Sequence, residues 1–201
     1  MTARAAGRNG TATRERLLRA AIELYASNGF LQTTTPALAT RAGIAEGTIY
    51  RHFTSKEHLL NEAHRVASRW AIGVLTPLEQ DRVRKTPERL GLFARQLIDL
   101  AMADPPLVRL WLDPAVRPFL DEPSRTLARE ARDGVTRLMA IGKSDGQVRA
   151  GPAELWADVW LAIVGHIAQR VATREWMPDG TQVMLALEAA WAAVQLRETG
   201  G

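Results

Sequence analysis

Proline and glycine interrupt this chain at short intervals, and apolar residues recur at helical spacing between the interruptions. Beyond residue 70 the breaks begin at Thr76-Pro77, and the helical runs lie near residues 87–103, 105–112, 123–141, 153–175 and 180–197. No segment keeps the strict alternation of apolar and polar residues that is typical of a β-strand. The sequence therefore predicts an all-α fold.

The first third of the chain predicts a tail, then short helices that include one over residues 46–52, and then the start of a longer helix. Residues 1–12 are small and polar with two arginines, and we expect a flexible basic arm there. The capping and ending residues of the following helices are Thr13 and Gly29, then Thr34 and Gly43, and the capping box Thr54-x-x-Glu57 that opens a longer helix towards Trp70. We place one domain at residues 13–58 and a second at residues 59–201.

Composition excludes several classes of protein. The 201 residues include no cysteine, so the chain has no disulfide framework, thiolate metal site or cysteine nucleophile. The longest apolar stretch without charge lies between Asp158 and Arg170 and is too short to cross a bilayer. The N-terminal residues MTARAAGRNG lack the apolar run of a secretory signal. We therefore expect a cytoplasmic protein.

The excess positive charge is confined to the N-terminal segment. Residues 1–60 contain eight Lys and Arg against four acids, whereas residues 61–201 contain eighteen of each sign. This asymmetry favours a polyanion as the partner of the first segment. The alternative is a basic disordered tail joined to a neutral domain.

Residues 34–53, TTPALATRAGIAEGTIYRHF, have the spacing of a helix-turn-helix unit. Ala39 is small enough for two helices to cross, Gly43 suits the turn, and Ile49 would lock the second helix onto the first. Leu38 and Ile44 complete the expected core. In such units the second helix enters the major groove of DNA.

These residues resemble the TetR family of bacterial transcriptional regulators. The resemblance runs from Leu17 to about Leu60 and is carried by Tyr25-Ala-Ser-Asn-Gly29-Phe30, Leu38-Ala39, Arg41-Ala42-Gly43-Ile44, Gly47-Thr48-Ile49-Tyr50, His52-Phe53 and Lys56-Glu57-His58-Leu59-Leu60. It implies a three-helix DNA-binding domain followed by a larger helical bundle for ligand binding and dimerisation. The remainder of the chain agrees in length and helical layout.

Side-chain chemistry and this resemblance together select the candidate DNA contacts. The set is Thr34, Thr35, Glu46, Gly47, Thr48, Tyr50, Arg51, His52 and Lys56. Glu46, Gly47 and Thr48 open the second helix and would meet base edges. Tyr50, His52 and Lys56 suit phosphate contacts, and Phe53 is expected in the core. Arg4, Arg8 and Arg14 would reach phosphates or a minor groove, or belong to a solvated tail.

The last two helices carry apolar residues suited to self-association. The predicted dimer interface consists of Ile163, Ile167, Met184, Leu187, Trp191 and Val194. Two helices from each of two chains would form a four-helix interface, as the resemblance also implies. Burial of these residues within one chain is the alternative.

Aromatic residues are the candidates for an effector pocket. Six residues are proposed to line it, with ordinary core packing as the alternative for each: Trp70, Phe93, Trp111, Phe119, Trp160 and His166. Asp104, Asp113 and Asp121 precede or follow prolines, where they suit helix caps and turns. The sequence contains no carboxylate pair with a histidine, phosphate loop or Gly-x-Ser-x-Gly motif, so we predict no enzyme activity, cofactor or metal.

The sequence thus predicts a homodimeric repressor that binds a palindromic operator and is released by a small molecule. The alternative is a helical ligand-binding or interaction protein without specific DNA readout.

Overall fold

The computed structural model describes residues 2–196, and for residues 2–9 it describes the backbone alone. The helices are α1 (Thr2–Asn28), α2 (Thr35–Ala42), the 3-10 helix η1 (Glu46–Arg51), α3 (Lys56–Gln80), α4 (Thr86–Ala103), α5 (Pro105–Leu112), the 3-10 helix η2 (Pro114–Phe119), α6 (Glu122–Ser144), α7 (Ala153–Ala172) and α8 (Thr181–Val194). Across residues 2–196 there is no β-strand, and one isolated bridge pairs Val148 with Gln195. The predicted all-α class is confirmed.

Two apolar cores lie at opposite ends of α3. The N-terminal core gathers α1, α2, η1 and the first half of α3, and it includes Leu107, Leu110 and Val116 from the α5–η2 region. The bundle core gathers α4, α6, α7 and α8 around the second half of α3. Residues 105–119, which we call the α5–η2 strip, therefore contact both cores: Leu107, Leu110 and Val116 belong to the N-terminal core, whereas Val108 belongs to the bundle core.

The first helix is longer than the sequence predicts. α1 begins at Thr2 rather than after Thr13, because the alanine-rich segment continues the helical backbone. Arg14 pairs with Glu62 at 2.7 Å, and its guanidinium lies 5.1 Å from the centroid of the Phe53 ring. Arg14 is thus engaged with α3 and the N-terminal core rather than extended as part of an arm. The side chains of Arg4 and Arg8 lie outside the described residues.

Two local predictions about α3 are wrong. Ser55, not Thr54, caps the helix, since its hydroxyl accepts the His58 backbone N–H at 3.0 Å. Pro77 lies inside the helix instead of ending it. The backbone continues for one more turn, in which the Asp81 N–H donates to the Pro77 carbonyl at 3.1 Å. A proline so near a helix end removes only one backbone hydrogen bond.

The aspartates beside prolines cap helices, as predicted. Asp104 accepts the Leu107 N–H at 3.2 Å and starts α5. Asp113 accepts the Ala115 N–H at 2.9 Å and starts η2, and Asp121 accepts the Ser124 N–H at 2.9 Å and starts α6. Each cap satisfies a backbone donor that the first helical turn leaves unpaired.

A polar network fastens the strip and α6 to α3. The buried guanidinium of Arg65 donates to Glu62 at 2.7 Å, to Asp121 at 3.1 Å and to Ser124 at 3.0 Å. The Asn61 side chain donates to the Phe119 carbonyl at 3.0 Å and accepts the Asp121 N–H at 2.8 Å. These bonds hold the end of η2 and the start of α6 in one position on α3.

His64 is a buried titratable group between the two cores. Its side chain on α3 is only 4% exposed, and its Nδ1 lies 3.4 Å from the Ser68 hydroxyl. Burial, together with the positive charges of Arg117 and Arg65, lowers the pKa of His64 from 6.5 to about 4. The imidazole is therefore neutral at neutral pH.

We predict that this histidine makes the fold acid-sensitive. Because its pKa is lower in the folded than in the unfolded state, its stabilisation is complete above pH 6.5 and is lost as pH falls towards 4. The loss should approach about 3 kcal/mol of unfolding free energy. Urea unfolding measured across this pH range should show a shallower decline for His64→Gln than for the wild type.

His166→Gln is the matched control, because His166 is exposed. It should follow the wild-type curve throughout. If His64→Gln and the wild type lost stability in parallel, the buried imidazole would not be the source of the acid sensitivity.

Candidate nucleic-acid interface and bundle cavity

The helix-turn-helix geometry that the sequence predicts is present. Gly43 takes a left-handed conformation with φ of 64°, and its N–H donates to the Thr40 carbonyl at 3.1 Å. Leu38, Ala39 and Ile49 are buried in the N-terminal core, and Ile44 packs against them. The turn is thus closed by the one residue type that takes this backbone without strain.

Eight of the nine predicted DNA contacts lie at the start of α2 or along η1 and its C-cap. We call this surface the N-terminal face: Thr34, Thr35, Glu46, Gly47, Thr48, Tyr50, Arg51 and His52. Tyr50 is 57% exposed although its ring is aromatic. Phe53 is buried, as predicted. An exposed tyrosine beside polar groups suits contact with a partner rather than core packing.

Thr34 has both a structural role and a free donor. Its hydroxyl oxygen accepts the Ala37 N–H at 3.3 Å and so caps α2. The hydroxyl proton remains available to a phosphate oxygen, because a hydroxyl both donates and accepts. The predicted N-cap is confirmed, and the phosphate contact stays a prediction.

Lys56, the ninth predicted contact, is engaged inside the N-terminal unit. Its ammonium donates to the carbonyls of Phe30 and Thr33, each at 3.0 Å, and lies 4.4 Å from the centroid of the Phe30 ring. Two of its three N–H donors are therefore used in holding the α1–α2 turn against α3. No local pattern indicates this role of Lys56, because the acceptors are backbone atoms more than twenty residues away in the sequence.

The arginines of the N-terminal unit differ in whether they form ion pairs within the chain. Arg41 pairs with Glu23, which also accepts from Arg19 at 2.8 Å. Arg51 on η1 is exposed and has no ion pair within residues 2–196. Among the described residues of the N-terminal face, Arg51 is therefore the cation best placed to meet a phosphate.

A cavity of about 780 Å³ opens between α5, η2, α6 and α7. Three of the six predicted pocket residues line it: Phe93, Trp111 and His166. Trp70 and Trp160 pack behind Phe93, with ring centroids 6.3 and 6.2 Å from its centroid. The prediction for Phe119 is wrong, since its ring centroid lies 4.7 Å from that of Phe30 against the N-terminal core.

Four arginines on this cavity were missed from the sequence. They are Arg117 on η2 and Arg125, Arg129 and Arg132 on α6. The last three recur at intervals of four and three residues, which places them on one face of a helix. This spacing is a signal that could have predicted a basic surface beside the aromatic residues.

The predicted dimer residues divide into two groups. Ile167 and Val194 are fully buried in the bundle core of a single chain, so they have no surface to offer a partner, and this part of the prediction is wrong. Ile163, Leu187 and Trp191 are half-buried, and Met184 is 54% exposed. Leu185, which was not among the predicted interface residues, is 60% exposed.

Neither a metal-binding cluster nor a membrane-spanning helix is present in residues 2–196. No group of three or more His, Asp or Glu side chains lies close enough together there to hold a metal ion. None of the described helices is both long and apolar enough to cross a membrane.

Comparison with known proteins identifies the family. Residues 17–63 match the family described as bacterial regulatory proteins, tetR family. The HTH-type transcriptional repressor KstR of Rhodococcus jostii is 30% identical over 168 residues, which cover 78% of this chain and 74% of KstR. The chain belongs to the TetR family. Its members are transcriptional regulators, so this TetR protein is not an enzyme, as predicted.

Other relatives of the TetR protein match over shorter regions. YerO of Bacillus subtilis, an uncharacterized HTH-type transcriptional regulator, is 34% identical over 77 residues, which cover 38% of this chain and about a quarter of YerO (27%). A TetR family regulator from Vibrio parahaemolyticus has a TM-score of 0.66 at 26% identity, covering 92% of this chain and all of the other.

Two solved structures support the TetR fold alone. A TetR family regulator from Marinobacter aquaeolei has a TM-score of 0.78 at 21% identity, covering 94% of this chain and 99% of the other. The structure of a complex of SmeT with triclosan has a TM-score of 0.68 at 23% identity, covering 94% and 95%. The helical layout beyond residue 63 is thus shared even where sequence similarity is low.

The contrast between Arg51 and Lys56 yields a prediction for the TetR protein. Arg51→Gln should flatten the dependence of log affinity for DNA on log salt by about 0.9 per bound subunit, with unchanged unfolding free energy, because each subunit loses one exposed phosphate contact. Lys56→Ala should instead lower the unfolding free energy by about 1–2 kcal/mol, because two carbonyls lose their donor.

Salt titrations of DNA binding and urea unfolding of both variants provide the measurements. Arg82→Gln, an exposed arginine after α3, serves as the control for loss of charge. A flatter slope with intact stability in Lys56→Ala would show that its ammonium contacts phosphate after all.

Proposed function

We propose that this protein is a repressor that binds a palindromic operator as a homodimer and is released by a small molecule. The observation that carries the proposal is the N-terminal face, a polar surface on a closed helix-turn-helix core, in a chain related to the repressor KstR. Release is supported by the cavity in the bundle, and the complex of SmeT with triclosan is a related fold with a bound small molecule. The protein would act in the cytoplasm, where it meets DNA.

The proposed contacts follow the order of residues along η1. Glu46, Gly47 and Thr48 lie in its first turn and would approach base edges in the major groove. Tyr50, Arg51 and His52 lie at the end of η1, where they would flank the groove and contact phosphates. Thr34 and Thr35 at the start of α2 would contact phosphates beside the groove.

Dimerisation is proposed through the outer surface of α7 and α8. These two helices pack on each other and close the bundle core on one side. Met184 and Leu185 leave apolar side chains more than half exposed on α8, beside the half-buried Leu187 and Trp191. A second copy would cover this apolar surface and would place two N-terminal faces on one side of the duplex.

The α5–η2 strip is the proposed connection between cavity and DNA. Trp111, Leu112 and Arg117 of the strip line the cavity. On its other side Leu107, Leu110 and Val116 are buried in the N-terminal core. Arg19 of α1 also pairs with the α5 cap Asp104 at 2.7 Å. A ligand that favours another position of the strip would therefore shift the N-terminal unit.

Binding selection on randomised DNA tests the proposed readout. Thr48→Ala should change the preferred base at one symmetric pair of positions and cost about 1–3 kcal/mol per half-site. Tyr50→Phe should weaken binding to cognate and scrambled DNA by similar factors, because a phosphate contact carries no sequence information.

The form of the selected site is a second readout of this experiment. Wild-type protein should select an inverted repeat, since two equivalent half-sites follow from a two-fold dimer. Failure to enrich any sequence would instead favour a helical ligand-binding or interaction protein without specific DNA readout. A changed base preference in Tyr50→Phe but not in Thr48→Ala would reverse the assigned roles.

The dimer interface is tested by placing charge on α8. The double variant Met184→Glu, Leu185→Glu should be monomeric by light scattering, because four buried carboxylates would face each other across the interface. Its operator affinity should fall by at least tenfold, because one half-site alone would then be bound.

Val83→Glu is the control for the introduced charge, since Val83 is an exposed apolar residue between α3 and α4. It should stay dimeric. A double variant that remained dimeric with normal thermal stability would locate the interface elsewhere.

A further inference from the structure

The cavity in the bundle has a charged mouth that the proposed function does not use. Arg117, Arg125, Arg129 and Arg132 line it and are exposed, and we call them the basic mouth. Asp158 is the one carboxylate among the lining residues. The lining of the mouth therefore carries more positive than negative charge over a short stretch of surface.

Internal ion pairs leave part of this charge uncompensated. Glu122 accepts from both Arg125, at 3.1 Å, and Arg129, at 2.7 Å, so one carboxylate serves two guanidinium groups. Arg132 pairs with Asp158 at 2.7 Å. Arg117 has no ion pair within the described part of the chain, and its charge contributes to the lowered pKa of His64.

The inner surface of the cavity is apolar. Phe93, Leu97, Trp111, Leu112 and Leu161 line it, and the Phe93 and Leu97 side chains are otherwise buried. Such a surface gains from contact with a hydrocarbon or aromatic group but offers little to a polar one. His64, the polar group among the buried lining residues, is held neutral.

We propose that this cavity binds an amphipathic organic anion, with its apolar body against the inner surface and its carboxylate or phosphate at the basic mouth. Guanidinium groups bind such oxyanions through paired N–H donors, and a cation would be repelled by the mouth. The role of this ligand as the effector rests on the proposed function. Its binding to the cavity does not, and can be measured without DNA.

Arg117 connects the anionic group of the ligand to the N-terminal core. It belongs to the α5–η2 strip, and its neighbour Val116 is fully buried in the N-terminal core. An anion that draws Arg117 towards α6 acts on the strip directly, whereas the apolar body contacts α4 and α7 as well. The charged end of the ligand therefore acts on the strip through Arg117, in addition to the apolar contacts that Trp111 and Leu112 of the strip offer to its body.

Calorimetric titration with four probes of equal chain length tests the ligand class. The probes are decanoate, decyl phosphate, decanol and decyltrimethylammonium. At least one of the two anions should bind the wild-type protein at least about tenfold more tightly than decanol, with no measurable binding of the cation. The tighter of the two anions identifies the head group as carboxylate or phosphate.

Two arginine variants and a control assign the head group to the mouth. Arg117→Gln and Arg129→Gln should each weaken anion binding about tenfold and leave decanol binding unchanged. Arg95→Gln, an exposed arginine of α4 outside the cavity, should bind all probes like the wild type. Arg117→Gln should also respond less to saturating anion in a DNA-release assay.

The outcomes separate this proposal from the proposed function. Equal or tighter binding of decanol or the cation, anion binding that survives both variants, or no binding of any probe would overturn the anionic ligand class. Arginine-dependent anion binding without DNA release would support the ligand class and contradict its role in release. Absence of operator binding by the ligand-free protein would contradict the proposed function alone.

Discussion

Burial of α3 along its length is the constraint on which both halves of the molecule depend. At about 1.5 Å per residue, its 25 residues extend for roughly 37 Å. Leu59 and Leu60 are buried in the N-terminal core, whereas Leu75 is buried in the bundle core. α6 packs so closely on its far end that a Cβ on Gly134 would lie 3.0 Å from Leu75 Cδ1. Neither core can therefore be repacked without affecting this helix.

Local signals predicted the helices well, because their causes lie within a few residues. The caps Asp104, Asp113 and Asp121 bond to backbone groups two or three positions ahead, and proline fixes the backbone that follows them. The errors at Thr54 and Pro77 are of the same local kind. Two adjacent residues could cap α3, and a proline one turn from a helix end is tolerated.

The candidate sites were predicted only where the residues that contact each other lie close together in the sequence. The helix-turn-helix core is made by residues 38–49, so its spacing was sufficient. Helical periodicity placed Ile167 and Val194 on apolar helix faces. Which neighbour would cover these faces depended on packing between distant helices. The same is true of Phe119, which lies against Phe30, and of Lys56, whose acceptors are backbone carbonyls. These contacts join residues far apart in sequence.

The prolines of the α5–η2 strip have a mechanical consequence. Pro105 and Pro106 open α5, Pro114 opens η2, and Pro118 lies within η2. Each pyrrolidine ring locks one backbone torsion, so the strip has fewer ways to bend than a segment of similar length without proline. In the proposed coupling, a displacement at the cavity edge of such a strip would be passed to its other edge more fully than through a segment without proline.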